Sequence, residues 1–301
     1  MQERVVDLLE RMGPRTGAEI REALGGEKFA LWKACMLSPR LASRRVGRRY
    51  VRLDRRVEGY ARLSPSILRE FLTYSVVGLS DDPAAIDRRT EELQAHISDI
   101  SRKKLELAKC LVTDVAGSFT ADAEAEKRFC VMLAGDIVYE MAHDVDRPER
   151  STGGMVHGSD LDIVVILSDA APGELGTQLD DAIYRKKSQY LKNPAYREEI
   201  DYVVKGFSKL REQTEFDTFK RMVACKILDE AVLLYGSAGL FAAGKALLGE
   251  RGVIDRLRAM ELSACHAREQ QERYLLATDE QVLRGEDLFL FYTDDESEEF
   301  E

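Results

Sequence analysis

The sequence predicts an α+β fold built from a helix-rich N-terminal module, a helical connector, a small mixed-sheet core and C-terminal helices. Three observations carry this. Apolar residues recur at helical spacing up to about residue 111, then switch to short continuous runs separated by helical segments. Charge divides along the chain: residues 1–63 hold 15 lysines and arginines against 8 acidic residues, a net of +7, which leaves −17 for the remainder. A pair of aspartates, Asp160 and Asp162, stands at the mouth of the apolar run Leu161 to Leu167. The boundaries that follow are 1–63 for the basic module, 64–124 for the connector, 125–250 for the core and 251–301 for a C-terminal helix and acidic tail.

In the N-terminal module, Val5 to Met12 has helical spacing and stops at Gly13-Pro14. Thr16 is placed to cap a second helix, Gly17 to Leu24, ended by Gly25-Gly26. A third runs from Lys28 to Met36. Two short runs flank Gly47 between Leu41 and Leu53, which predicts a β-hairpin carrying Arg44, Arg45, Arg48, Arg49 and Arg52. Ser64-Pro65-Ser66 is a helix-start signal, and residues 64–80 read as a connecting helix. Pro83 opens a long helix to about Leu111. Its stripe of Ile86, Leu93, Ile97, Ile100, Leu107 and Leu111 suits packing on the next domain or, through residues 84–111, a homodimer; Lys104 interrupts it.

Phe129 to Ala134 then reads as a strand ended by Gly135, with a helical segment Asp136 to Met141 and a loop over 143–159. Strand 160–167 and helix 173–191 follow, then strand 200–204, helix 214–230 and strand 231–237. Helices over 240–248 and 253–277 precede an acidic tail from Tyr292. Five scattered cysteines form no CxxC pair and four histidines lack ligand spacing, so neither a disulfide framework nor a zinc site is indicated. No apolar run nears the ~20 residues of a membrane span, and the first residues are charged, so the expectation is a cytoplasmic protein with no membrane partner.

A strand sends alternate side chains to one face, which places Asp160 and Asp162 together, about 7 Å apart along the backbone. Two such carboxylates repel unless a cation sits between them, and hard divalent ions take oxygen ligands. Alone, the pair fits solvated aspartates equally well. Asp201 supplies a third carboxylate at the start of the next apolar run, with a helix between.

Helix, helix, helix and arginine-rich hairpin over residues 1–60 resembles a winged helix-turn-helix domain. That resemblance implies a third helix in the major groove and a wing on the backbone, with the five arginines suited to phosphates of DNA or RNA; winged helices also serve as protein–protein modules. Residues 125–250 resemble the polymerase-β-like nucleotidyltransferase superfamily. The matching segments are Leu133-Ala134-Gly135-Asp136, Ser159-Asp160-Leu161-Asp162-Ile163, Ile200-Asp201-Tyr202 and Val232 to Ser237. The resemblance implies transfer of NMP from an NTP to a hydroxyl, with Mg²⁺ or Mn²⁺ as cofactor. Asp160 and Asp162 would bind both metals, and Asp201 would bind the catalytic one and help deprotonate the acceptor. Gly135, Asp136 and Ser159 would lie at the nucleotide.

Asp136 stands where the family carries a small residue, and the loop from Gly135 to Asp160 is longer than usual. Arg147 and Arg150 in that loop could reach phosphate, Gly153-Gly154 could let backbone approach it, and His157 reads as a loop residue. These departures keep open a DNA-binding regulator with a degenerate, nucleotide-sensing domain. A nucleotide-sugar glycosyltransferase is a further reading, set against by the small core and by the lack of a role for Asp201.

Overall fold

The computed structural model describes residues 1–117, 119, 126–149, 153–279 and 281–292. Its order is α1 (Gln2–Met12), β1 (Arg15–Thr16), α2 (Gly17–Leu24), α3 (Lys28–Leu37), β2 (Leu41–Arg45), β3 (Tyr50–Leu53), β4 (Ala61–Ser64), α4 (Ile67–Thr73), β5 (Ser75–Leu79) and α5 (Pro83–Gly117). The core adds β6 (Phe129–Ala134), β7 (Asp146–Pro148), β8 (Met155–His157), β9 (Leu161–Leu167), α6 (Gly173–Lys192), β10 (Ile200–Gly206), α7 (Phe207–Gln213), α8 (Phe219–Glu230), β11 (Val232–Gly236) and α9 (Ala238–Glu250). Last come α10 (Val253–Ala277) and α11 (Phe289–Tyr292). Helices interleave with small sheets, so the chain is α+β as predicted. Two units emerge: Met1–His96 with the described residues of Ala259–Ser297, and the described residues of Ile97–Arg258. No helix among the described residues is long and apolar enough to cross a membrane.

In the first unit Thr16 caps α2 as its position predicts. Its hydroxyl accepts from the Glu19 amide at 3.2 Å while the Glu19 carboxylate accepts from the Thr16 amide at 2.7 Å. The three predicted helices form around Val5, Leu9, Ile20, Leu31 and Trp32, all buried. The hairpin about Gly47 does not. β2 pairs with β5 instead, in a sheet ordered β1-β5-β2, and β3 pairs with β4 in a separate ribbon. The predicted connecting helix over 64–80 likewise shortens to α4, and the residues after it become the central strand β5. Val76 and Val77 are fully buried there, and a central strand needs a hydrogen-bonding partner on each edge. β1 and β2 supply those edges, which takes β2 away from β3.

The second unit holds a four-stranded sheet ordered β10-β9-β6-β11. β9 and β10 are parallel, joined by the crossover helix α6, whereas β6 runs antiparallel to both β9 and β11. β9 is apolar on both faces because it lies in the sheet interior: Leu161, Ile163 and Val165 are fully buried, and Val164 and Ile166 nearly so. Ile100, Ala108 and Leu111 of the α5 stripe join this core with Leu175, Leu179 and Ile183 of α6. Residues Asp136 to Glu140 form turns, not the helix their sequence suggested, and residues 146–148 and 155–157 of the expected loop pair as a short ribbon.

Candidate metal centre

Register brings the three aspartates together. Asp162 on β9 lies directly beside Asp201 on β10, and side chains at one level of neighbouring strands project from one face. Asp160 precedes Asp162 by two residues and shares that face. One carboxylate oxygen from each falls within 4.8 Å of the others. Asp162 is buried, while Asp160 and Asp201 are about a third exposed, so the cluster opens to solvent on one side. Three oxygen ligands so close fit a hard divalent cation, and the chain surrounds them with cations of its own. Lys187 of α6 pairs with Asp201 at 2.9 Å. Arg147 of β7 approaches Asp160 at 3.6 Å, pairs with Glu199 at 2.6 Å and donates from Nε to the Gly158 carbonyl at 2.9 Å. Burial pushes the Glu199 carboxyl above its ordinary range, opposed by the Arg147 charge and reinforced by the charges of Asp160 and Asp201.

Gly135 follows β6, whose Ala134 pairs with Asp162. Its φ is +77°, and a Cβ there would stand 2.0 Å from Oδ2 of Asp162. Only glycine satisfies both demands, so the residue exists to let the central carboxylate lie against the turn. Its amide donates to Glu230 at 3.0 Å, and Glu230 forms a buried pair with Lys226 at 2.6 Å. Gly135→Ala is therefore expected to cost about 1–3 kcal/mol of stability from the backbone alone. It is also expected to remove any Mg²⁺-dependent rise in Tm, read from thermal melts with and without Mg²⁺.

Asp136 is buried, and its Oδ2 accepts a hydrogen bond from the Ser159 hydroxyl at 3.1 Å. That hydroxyl in turn accepts from the His143 amide at 3.2 Å, and the Ser159 amide donates to the His143 carbonyl at 3.0 Å. Asp136 and Ser159 thus tie the turn after β6 to the segment entering β9. His157 is half-exposed, with Nδ1 2.8 Å from Asp146. The segment around Gly153 and Gly154 closes on itself through backbone bonds to Glu149. Arg150 lies outside the described residues.

The five arginines predicted for nucleic acid do not share one setting. Arg44, Arg45 and Arg48 are exposed, with Arg44 3.2 Å from Asp87 and Arg45 3.7 Å from Glu70. Arg49 forks onto both oxygens of Glu70 at 2.6 and 2.7 Å and also reaches Glu272 at 2.7 Å. Burial would raise Glu70, yet hydrogen bonds from Arg49 and the charges of Arg268, Arg49 and Arg45 hold it below the usual carboxylate range. Arg52 is buried on β3.

Sequence reasoning missed Lys187 and Glu199. For Lys187 a signal existed. Leu175, Leu179 and Ile183 form the buried face of α6 at four-residue spacing, and 187 is the next step. A lysine in an apolar stripe marks a cation turned toward the sheet. No protein-family model, curated protein or solved structure matches this chain.

Proposed function

We propose that the second unit is a nucleotidyltransferase that moves NMP from an NTP to a hydroxyl acceptor. The observation that carries this reading is the in-register meeting of an Asp-x-Asp strand with a third aspartate on its parallel neighbour, packed against a positive-φ glycine. Asp160, Asp162 and Asp201 would hold Mg²⁺, or Mn²⁺ in its place. A divalent ion there supplies the charge that offsets the triphosphate and acidifies the acceptor hydroxyl. Asp201, one-third exposed, is the carboxylate positioned to accept the acceptor's proton. Arg147 sits where its guanidinium can turn from Asp160 to a phosphate oxygen.

The first unit supports a winged-helix reading in a modified form. Three helices with the sheet order β1-β5-β2 agree with it, and the β3–β4 ribbon with α4 then reads as an insertion between the sheet's last two strands. This unit would bring the enzyme to DNA or RNA.

A second reading, a nucleotide-sensing regulator without turnover, is favoured by one specific feature. The Gly135 amide, which the active reading assigns to phosphate, is bonded to Glu230, and the Asp136 carboxylate is buried beside it. The two readings part on one measurement. Purified protein is incubated with Mg²⁺ and each NTP labelled at the α-phosphate, together with nucleic-acid, protein and small-molecule acceptors. Transfer of label with release of pyrophosphate is the expected result. Saturable NTP binding with no pyrophosphate from any acceptor would transfer the assignment to the sensor.

A further inference from the structure

The ribbon β3–β4 gathers positive charge. Residues 48–62 contain six arginines against Asp54 and Glu58. Arg52 and Arg62 stand directly opposite each other across the ribbon, and both are buried. Like charges in that position repel. Asp54 answers part of it, 3.1 Å from Arg62 and 3.0 Å from Arg56. Burial, and then the charge of Arg52, draw the Arg62 guanidinium down to about 10. Arg48 and Arg55 stand exposed around this pair.

α11 is fastened to the same ribbon. The Arg56 guanidinium lies 4.6 Å from the centre of the Phe289 ring, and Leu290 shares a cavity wall with Arg62 and Leu63. Phe291 is fully buried, 5.1 Å from Phe29 and 5.2 Å from Trp32 between ring centres, and the Tyr292 hydroxyl donates to Glu27 at 2.9 Å. Beyond Tyr292 the sequence is Thr-Asp-Asp-Glu-Ser-Glu-Glu-Phe-Glu, six carboxylates in nine residues. Nine residues reach about 30 Å when extended, enough to cover the ribbon from where α11 holds Tyr292.

We propose that the acidic segment 293–301 docks on the arginines of the β3–β4 ribbon and acts as an intramolecular counter-anion for them. Charge complementarity drives the contact, and tethering gives it an effective concentration of about millimolar, so a weak intrinsic affinity suffices. The contact is electrostatic and weakens with salt. It does not depend on the nucleic-acid reading of this unit. Where that reading holds, the tail competes with phosphates for the same guanidinium groups and sets a threshold for binding.

The test uses the full chain with its tail neutralised by Asp294→Asn, Asp295→Asn, Glu296→Gln, Glu298→Gln, Glu299→Gln and Glu301→Gln, and a fluorescent peptide with the sequence of residues 293–301. At low salt the peptide is expected to bind the neutralised chain at least about tenfold more tightly than the unaltered chain, whose own tail fills the site. Adding Arg48→Gln, Arg55→Gln and Arg56→Gln to the neutralised chain is expected to remove that binding, with circular dichroism confirming the fold. Equal binding to both chains, binding to neither, or binding indifferent to the arginine changes would overturn the proposal. A duplex DNA probe forms a separate arm: tighter DNA binding by the neutralised chain supports competition. DNA binding by neither chain ends the nucleic-acid reading while the peptide result still decides the docking.

Discussion

Asp162→Asn is expected to lower nucleotidyl transfer by about 10³-fold or more and to abolish any Mg²⁺-dependent rise in Tm, while leaving the fold intact. The magnitude follows from the central position of this carboxylate. It is the buried member of the triad, fixed in register between Ala134 and Asp201, with its Oδ2 against Gly135. An amide keeps the shape and loses the charge, and charge placed at the reacting phosphates is usually the largest catalytic contribution. Stability provides an independent reading. An ion that binds only the folded chain at a hundred times its Kd adds about 2.7 kcal/mol. Unaltered protein should therefore melt higher in Mg²⁺ than in chelator, and Asp162→Asn should melt alike in both. A variant that keeps both transfer and the Mg²⁺ shift would remove Asp162 from the site. One that loses transfer but keeps the shift would place the ion on Asp160 and Asp201 alone.

What could be read in advance divides by range of interaction. The capping of α2 by Thr16 and Glu19, the length of β9 and the shared face of Asp160 and Asp162 depend on residues a few positions apart, and local period and chemistry determine them. Asp201 was legible because a parallel pair joined by one helix has few registers that keep an apolar run in the interior. The partner of β2 was not. A glycine between two short runs is a sound hairpin signal, but β5, some thirty residues on, competes for the same edge and wins by burying Val76 and Val77. Asp136 was a local departure whose meaning is tertiary: only the arrival of Ser159 from another segment shows that its carboxylate is engaged. Lys104 was noticed as a break in the α5 stripe without its partner being nameable, since Glu198 enters from beyond α6.

That break carries the second large effect. Lys104→Met is expected to destabilise the chain by about 3–5 kcal/mol, the usual cost of removing one partner from a buried ion pair. Lys104 and Glu198 are both buried, 2.5 Å apart, and Lys104 also donates to the His157 carbonyl at 2.9 Å. One ammonium therefore joins α5 to the residue before Glu199 and to the end of β8, the two segments that lead into Asp201 and Asp160. Burial already lifts the Glu198 carboxyl above its ordinary range against the pull of Lys104. Without the ammonium it rises further. A carboxyl whose folded pKa exceeds its unfolded value holds a proton in the folded state, so its contribution is present at low pH and is lost as pH rises through the folded pKa. The deficit of Lys104→Met relative to the unaltered chain should accordingly be largest near neutrality and shrink on acidification. Adding Glu198→Gln should recover much of the loss at neutral pH, because no uncompensated charge is then buried. Denaturant unfolding of the three chains at about pH 7 and about pH 4.5 measures all of this. A deficit below about 1 kcal/mol, or one indifferent to pH, would mean that the pair is solvated and that α5 is held to the sheet by its apolar stripe alone.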